Sequence, residues 1–212
     1  VTDLAIDWIG SQTDPWFLWL AYVAPHTPFH LPPQALHTQD LLGSDADINA
    51  NPRNYYLAAI EAMDTEIGRL LASMTQEELD NTIIFYVGDN GTPRQVADRS
   101  VYANGSKGSL TQGGLSVPMI ASGAGVSRKN VREDVLISST DFFATIASMA
   151  GDTTSSIEDS KSFKNLLTNS NAAHRDYLYS DFSSDNVSGW AVRNTNYKLI
   201  STATGQELYD LE

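Results

Sequence analysis

Phe85-Tyr-Val-Gly-Asp-Asn-Gly91 and, further on, Lys107-Gly-Ser-Leu-Thr-Gln-Gly-Gly-Leu-Ser-Val-Pro118 decide how this chain is read. The first segment ends an apolar run, Thr82 to Gly88, in a carboxylate and a carboxamide. Open α/β sheets place ligands at the carboxyl ends of their strands. Two oxygen donors in that position suit a hard cation such as Ca2+ or Mg2+. The second segment presents Lys107 among Gly105, Gly108, Gly113 and Gly114, where a lysine can act as a point charge for a sulfate or phosphate oxygen.

Each segment also has a plainer reading. Asn90-Gly91 is a strong hairpin signal, but Thr92 to Arg99 supplies no alternating strand to follow it. A lysine on a glycine-rich loop is most often only solvated. Asp89 and Asn90 by themselves amount to half a metal site, because a divalent ion normally takes more carboxylates than one. The phosphate-loop pattern and Gly-x-Gly-x-x-Gly after a strand are both absent, which argues against a nucleotide.

Upstream, Leu4, Ala5, Trp8 and Ile9 recur at helical spacing, and Gly10 to Pro15 breaks the pattern. Trp16 to Ala24 is a continuous aromatic and aliphatic run that reads as a buried strand. It stops at Pro25-His26-Thr27-Pro28, whose prolines hold His26 on a stiff loop. A lone histidine is more often structural than catalytic. The polar stretch 31–53 is long for a connection and reads as a lid or a mobile loop. Asn51 as cap and Pro52 at the first position open a helix of about six turns. Its apolar face is read as Tyr56, Ile60, Met63, Ile67, Leu70, Leu71 and Met74.

Downstream, Val117 to Gly123 is a further strand, and Ser139-Thr140-Asp141 caps a helix running to Ala150. This order predicts an α/β fold. Tyr177–Phe182, Trp190–Arg193, Tyr197–Ser201 and Glu207–Leu211 read as short strands, and Asn194-Thr-Asn196 suits a hairpin, so a small antiparallel sheet is expected. The expected division is 1–150 for the α/β part and 151–212 for that sheet. His30 and His37 lack a zinc spacing, and His174, in a polar segment, reads as surface.

The chain has 212 residues and a net charge of −13. An acidic balance of that size disfavours nucleic acid and anionic membrane surfaces as partners. No run approaches the length of a membrane helix. Cysteine is absent, which removes disulfides, thiolate metal sites and cysteine nucleophiles. Val1 falls inside what reads as a helix, so the N-terminus reads as a cut.

Taken together, Phe17 to Pro28, Met63-Asp-Thr-Glu-Ile-Gly68, Asp89-Asn-Gly91, Lys107 to Gly114, Val117-Pro118, Ser139 to Phe143 and the tail Tyr197-Lys-Leu-Ile with Glu207 to Glu212 resemble, in collinear order, the C-terminal half of a sulfatase of the alkaline-phosphatase-like superfamily. The resemblance covers nearly the whole chain and implies a mixed sheet flanked by helices, with the small antiparallel sheet at the C-terminus. It implies that Asp89 and Asn90 are two Ca2+ ligands, that Lys107 contacts the sulfate and leaving-group oxygens, and that His26 lies beside it as the second catalytic and substrate-binding residue. The substrate implied is a sulfated small molecule or carbohydrate.

In such enzymes a formylglycine, made from Cys or Ser in Cys/Ser-x-Pro-x-Arg, is hydrated and attacks sulfur. That motif and the rest of the cation site lie in the family's N-terminal half and are missing here. The chain alone is therefore expected to be inactive, and to need the N-terminal half or self-association to cover its exposed edges. Gln112 stands where the family often has Glu, and Ser116 where Arg is common. Two other readings stay open: a phosphate or phosphonate ester hydrolase of the same superfamily, and a non-catalytic binding or scaffold protein. The resemblance favours a periplasmic or secreted location.

Overall fold

The structure, a computed structural model, describes residues 1–103, 105–152, 158–183 and 188–211. The chain forms two compact units: Val1–Thr82 with Pro93–Asp98, and Ile83–Thr92 with Arg99–Glu212.

The first unit is helical. Helix α1 (Thr2–Gly10) buries Thr2, Ala5 and Ile9 and packs on the long helix α3 (Pro52–Ser73). Short helix α2 (Asp45–Ala50) is capped by Ser44, whose hydroxyl accepts from the Asp47 amide. Helix α4 (Gln76–Asp80) opens with a reciprocal Thr75–Glu78 capping box. The segment read as a loop, 31–53, thus carries a helix and a 3-10 turn at Gln34–Leu36. The buried side of α3 is Tyr55, Ala58, Ala59, Ala62 and Met63, a face rotated from the one the larger apolar residues marked. Small alanines let neighbouring backbone approach closely, while Tyr56, Ile60 and Ile67 stay half-buried. Asn51 precedes α3 but gives it no side-chain cap; its amide donates to Asp47 instead (2.8 Å). Tyr55 is fully buried, its hydroxyl donating to Asp47 and accepting from the Gly43 amide. Arg53 ties residues 96–98 to α3 through the Val96 carbonyl and the Asp98 carboxylate.

Trp16 to Ala24 departs from expectation. It is extended, and its side chains alternate between half-buried and exposed, but it forms no ladder with any described residue. Phe17, Trp19 and Val23 are 60%, 72% and 77% exposed. A strand is defined by its partner as much as by its own residues, and none is supplied here.

The second unit holds the sheets. β1 (Ile83–Val87) pairs antiparallel with β2 (Met119–Gly123), Phe85 opposite Ala121. Between them in sequence lies the one-turn helix α5 (Gln112–Leu115). Helix α6 (Asp141–Met149) follows. Its Phe142 meets Phe85 and Phe163 edge to face at 5.5 and 5.2 Å, in a core with Val126, Leu166 and Leu167. Such ring pairs add to simple area burial. The tail is a four-stranded antiparallel meander in chain order, β3 (Leu178–Ser183), β4 (Ser188–Arg193), β5 (Tyr197–Thr202) and β6 (Gly205–Asp210). The expected Asn194–Asn196 hairpin is present, closed by Asn194 N–H on the Tyr197 carbonyl (3.0 Å).

The tip of α6 is fixed by a buried polar knot. Thr140 makes no side-chain cap; Asp141, fully buried, accepts from the Ser138 and Lys161 amides (2.8 and 2.9 Å), the His174 imidazole (3.0 Å) and both arms of Arg175. His174 is therefore buried rather than on the surface. A charged carboxylate attracts every donor the fold brings near it, and the histidine is drawn in with the neighbouring arginine. Burial alone opposes ionisation of Asp141, yet Arg175 and the other donors outweigh it and hold the carboxyl well below the usual range.

Candidate functional site

Asp89 and Asn90 fall two and three residues beyond the end of β1, and their side chains hydrogen-bond to each other, amide to carboxylate. No hairpin forms directly after them: residues 91–93 are irregular and 94–96 make a turn. Backbone bonds strap this corner down instead: Gly88 N–H to the Pro118 carbonyl (3.0 Å) and Gly91 N–H to the Gly114 carbonyl (3.1 Å). Gly91 has to be glycine, since a Cβ there would lie 2.1 Å from the Gly113 oxygen.

Lys107 is joined to the same frame by its own N–H on the Thr92 carbonyl (2.9 Å). Its loop is knitted by hydroxyls. Ser109 Oγ donates to the Ser106 carbonyl (2.8 Å), accepts from the Ser106 amide (3.2 Å) and meets Thr111 Oγ1 at 2.9 Å. Gly105 and Gly108 take positive φ, +82° and +79°, which glycine adopts without strain. The structure thus brings Asp89, Asn90 and Lys107 onto one connected backbone frame, with Asp89 and the Lys107 side chain open to solvent.

His26 belongs to the other unit. It is exposed, with Nδ1 2.7 Å from the carbonyl of Thr27 and its N–H on the Val23 carbonyl (2.9 Å). His30 is exposed too, whereas His37 is buried against the Pro32 carbonyl (3.2 Å).

As a cation site the frame is partial. The donors are of the right kind, oxygen on rigid backbone, but Ca2+ takes six to eight of them. Among the described residues no group of three or more His, Cys, Asp or Glu could hold a metal.

One side chain that sequence reading passed over reaches this frame. Lys198, on β5, is 2% exposed and donates from Nζ to Gln112 Oε1 (3.1 Å). Its place was legible only through phase: in a strand, residue 198 shares a face with Ile200, which is buried with Leu110 and Ala191. Burial lowers its ammonium to about 8, and the charge of Arg193 adds to that.

Comparison with known proteins gives the class to which this fold belongs. The sulfatase family model matches residues 1–152, so the chain belongs to the sulfatase family. An arylsulfatase from Hemicentrotus pulcherrimus is 28% identical over the whole chain, which spans 37% of that relative. Sulfatase YdeN of Escherichia coli is 34% identical over 68% of the chain and 26% of its own length. The ulvan-active sulfatase of Formosa agariphila is 26% identical over 90% of the chain and 29% of its length. The chain thus spans about a third of the curated relatives it matches. Among solved structures, Ps i-CgsB superposes over 99% of this chain and 47% of its own with a TM-score of 0.76 at 24% identity. A 2-O GAG sulfatase superposes over 99% and 50% with a TM-score of 0.60 at 19% identity. These establish the alkaline-phosphatase-like fold, with the small four-stranded antiparallel sheet at its C-terminal end.

Proposed function

We propose that this chain forms part of an enzyme that hydrolyses sulfate monoesters of an aryl or carbohydrate alcohol, with Asp89 and Asn90 contributing to a Ca2+ site and Lys107 and His26 serving the sulfate group. The observation that carries the reading is the rigid corner after β1, where an oxygen-donor pair and a lysine loop share one hydrogen-bonded frame inside a sulfatase-family match.

In that role Lys107 neutralises charge gathering on the ester oxygens, and Lys107 or His26 donates the proton that the leaving oxygen takes up. Asp89 and Asn90 supply hard oxygens, held by backbone rather than by long flexible side chains. The group still needed is a formylglycine, whose hydrated aldehyde supplies the nucleophile; the 212 residues contain no Cys/Ser-x-Pro-x-Arg from which to make it. The polypeptide by itself is accordingly expected to be inactive, and to act once joined to, or complemented by, a segment bearing that motif. Phe17, Trp19 and Val23 along an extended segment that pairs with no described residue support a complementing strand, or a second copy, as its partner. A periplasmic or secreted location accords with this reading.

The test is p-nitrophenyl sulfate hydrolysis by the full-length protein and by the 212-residue chain. Turnover is expected only in the former, lost on chelation of divalent ions, and reduced about 10²–10³-fold by Lys107→Ala, the size typical of removing one charge-stabilising group. Full turnover by Lys107→Ala, or hydrolysis of p-nitrophenyl phosphate in preference to the sulfate, would overturn it.

A further inference from the structure

We infer that the C-terminal sheet is a clamp on the lysine loop, and that Lys198 is its positioning residue, holding Gln112 and through it the frame that carries Lys107. This rests on the reading above only for the role of Lys107; the clamp itself stands on geometry.

Three contacts make it. Leu110, three residues after Lys107, is 5% exposed and seated with Ala191 and Ile200, with Phe182 and Tyr209 packed around them. Leu110 also approaches Gly189 so closely that a Cβ there would meet its side chain at 3.3 Å and the Ser201 carbonyl at 2.4 Å. Lys198 then reaches Gln112, 86 residues away in sequence. Gln112 starts α5, whose Gly114 carbonyl receives the Gly91 amide next to Asp89 and Asn90. A displacement of β5 is therefore passed to both halves of the candidate site through two hydrogen bonds and one buried leucine.

The partner chosen for Lys198 gives the clamp a pH response. Facing it are Arg193, its cross-strand neighbour on β4, and Tyr209, its neighbour on β6, whose hydroxyl is bonded to Glu207. Gln112 is neutral, so among the described residues the ammonium is buried without a bonded carboxylate. Its folded pKa, about 8, lies below the roughly 10.4 of a solvated lysine. Closing the clamp therefore releases a proton, and the closed state gains over the open one as pH rises through 8 toward 10.

Hydrogen exchange on the 212-residue chain, read by NMR at single amides and corrected for intrinsic rates, tests this. From the two values above, protection of the Gly91, Lys107, Gly114 and Ser116 amides is expected to rise about tenfold between pH 7 and 9. Gln112→Glu gives the ammonium a carboxylate partner, so it should raise protection at pH 7 and flatten the pH dependence. At pH 9, where the buried amine is mostly neutral, Lys198→Met removes only the hydrogen bond to Gln112 and should lower protection of those amides about fivefold while amides of β1 and α6 change by less than about twofold. If Lys198→Met unfolds the unit, Gln112→Ala replaces it with the same criterion. Loop protection unchanged in the Lys198 or Gln112 variant, or a wild-type profile flat from pH 7 to 9, overturns the clamp. Exchange is read without any turnover. A protein that fails to cleave the sulfate ester but shows the coupling thus defeats only the functional reading, and the reverse defeats only the clamp.

Discussion

Residues 16–24 and the strands β3 to β6 are both rich in aromatic and β-branched residues, yet only the second group forms a sheet. Each strand of the meander lies beside its neighbour in sequence, so only a few residues of chain separate it from its partner and pairing is local. The extended run at 16–24 has no such neighbour. Its pairing groups meet no described strand, and Phe17 and Trp19 face solvent. Local pairing is written in adjacent sequence, whereas a strand that belongs in the middle of a sheet depends on residues far away or on another polypeptide.

The contrast can be broken from the well-partnered side first. Asp141→Ala leaves buried His174 and half-buried Arg175 without their carboxylate and should cost about 3–5 kcal/mol, read as a lower denaturant midpoint. Acid should do the same by degrees. The folded carboxyl of Asp141 lies below its unfolded value, so its contribution is complete above about pH 4 and is lost as pH falls further. A urea midpoint that stays constant from pH 5 to 2.5 would contradict the knot's role.

Ile200→Ala, in the meander's buried cluster, should cost about 2–5 kcal/mol. Gly189→Ala drives a Cβ toward the Ser201 carbonyl and should cost about 1–3 kcal/mol. Trp19→Ser, a far larger side-chain change, should stay within about 0.5 kcal/mol in this chain because the indole is exposed. If Trp19→Ser is as damaging as Ile200→Ala, then 16–24 is covered in solution and the contrast fails.

Much of the fold could be read from adjacent residues. The Asn194–Asn196 hairpin, the two strands around Gly88 and Val117, the start of α3 at Pro52 and the Asp89-Asn90 corner all rest on local pattern, and the structure has them. On α3 and its C-cap the expected Met63 and Met74 are buried, but the rest of the buried side is Tyr55 and alanines, which carry no strong apolar signal although they permit the closest packing. His174 was misread because nothing near it in sequence mentions Asp141, 33 residues back.

What the sequence determined by itself is the set of elements and the chemistry at their ends, since periodicity, prolines, glycines and capping residues act within one or two turns of chain. What only tertiary structure decided is which polar groups are buried together. Asp141 with His174 and Arg175, and Lys198 with Gln112, are separated by 33 to 86 residues. Each pair exists because burial in a low-dielectric interior makes an unpaired charge or amide costly, and only the folded chain can bring the answering group to about 3 Å.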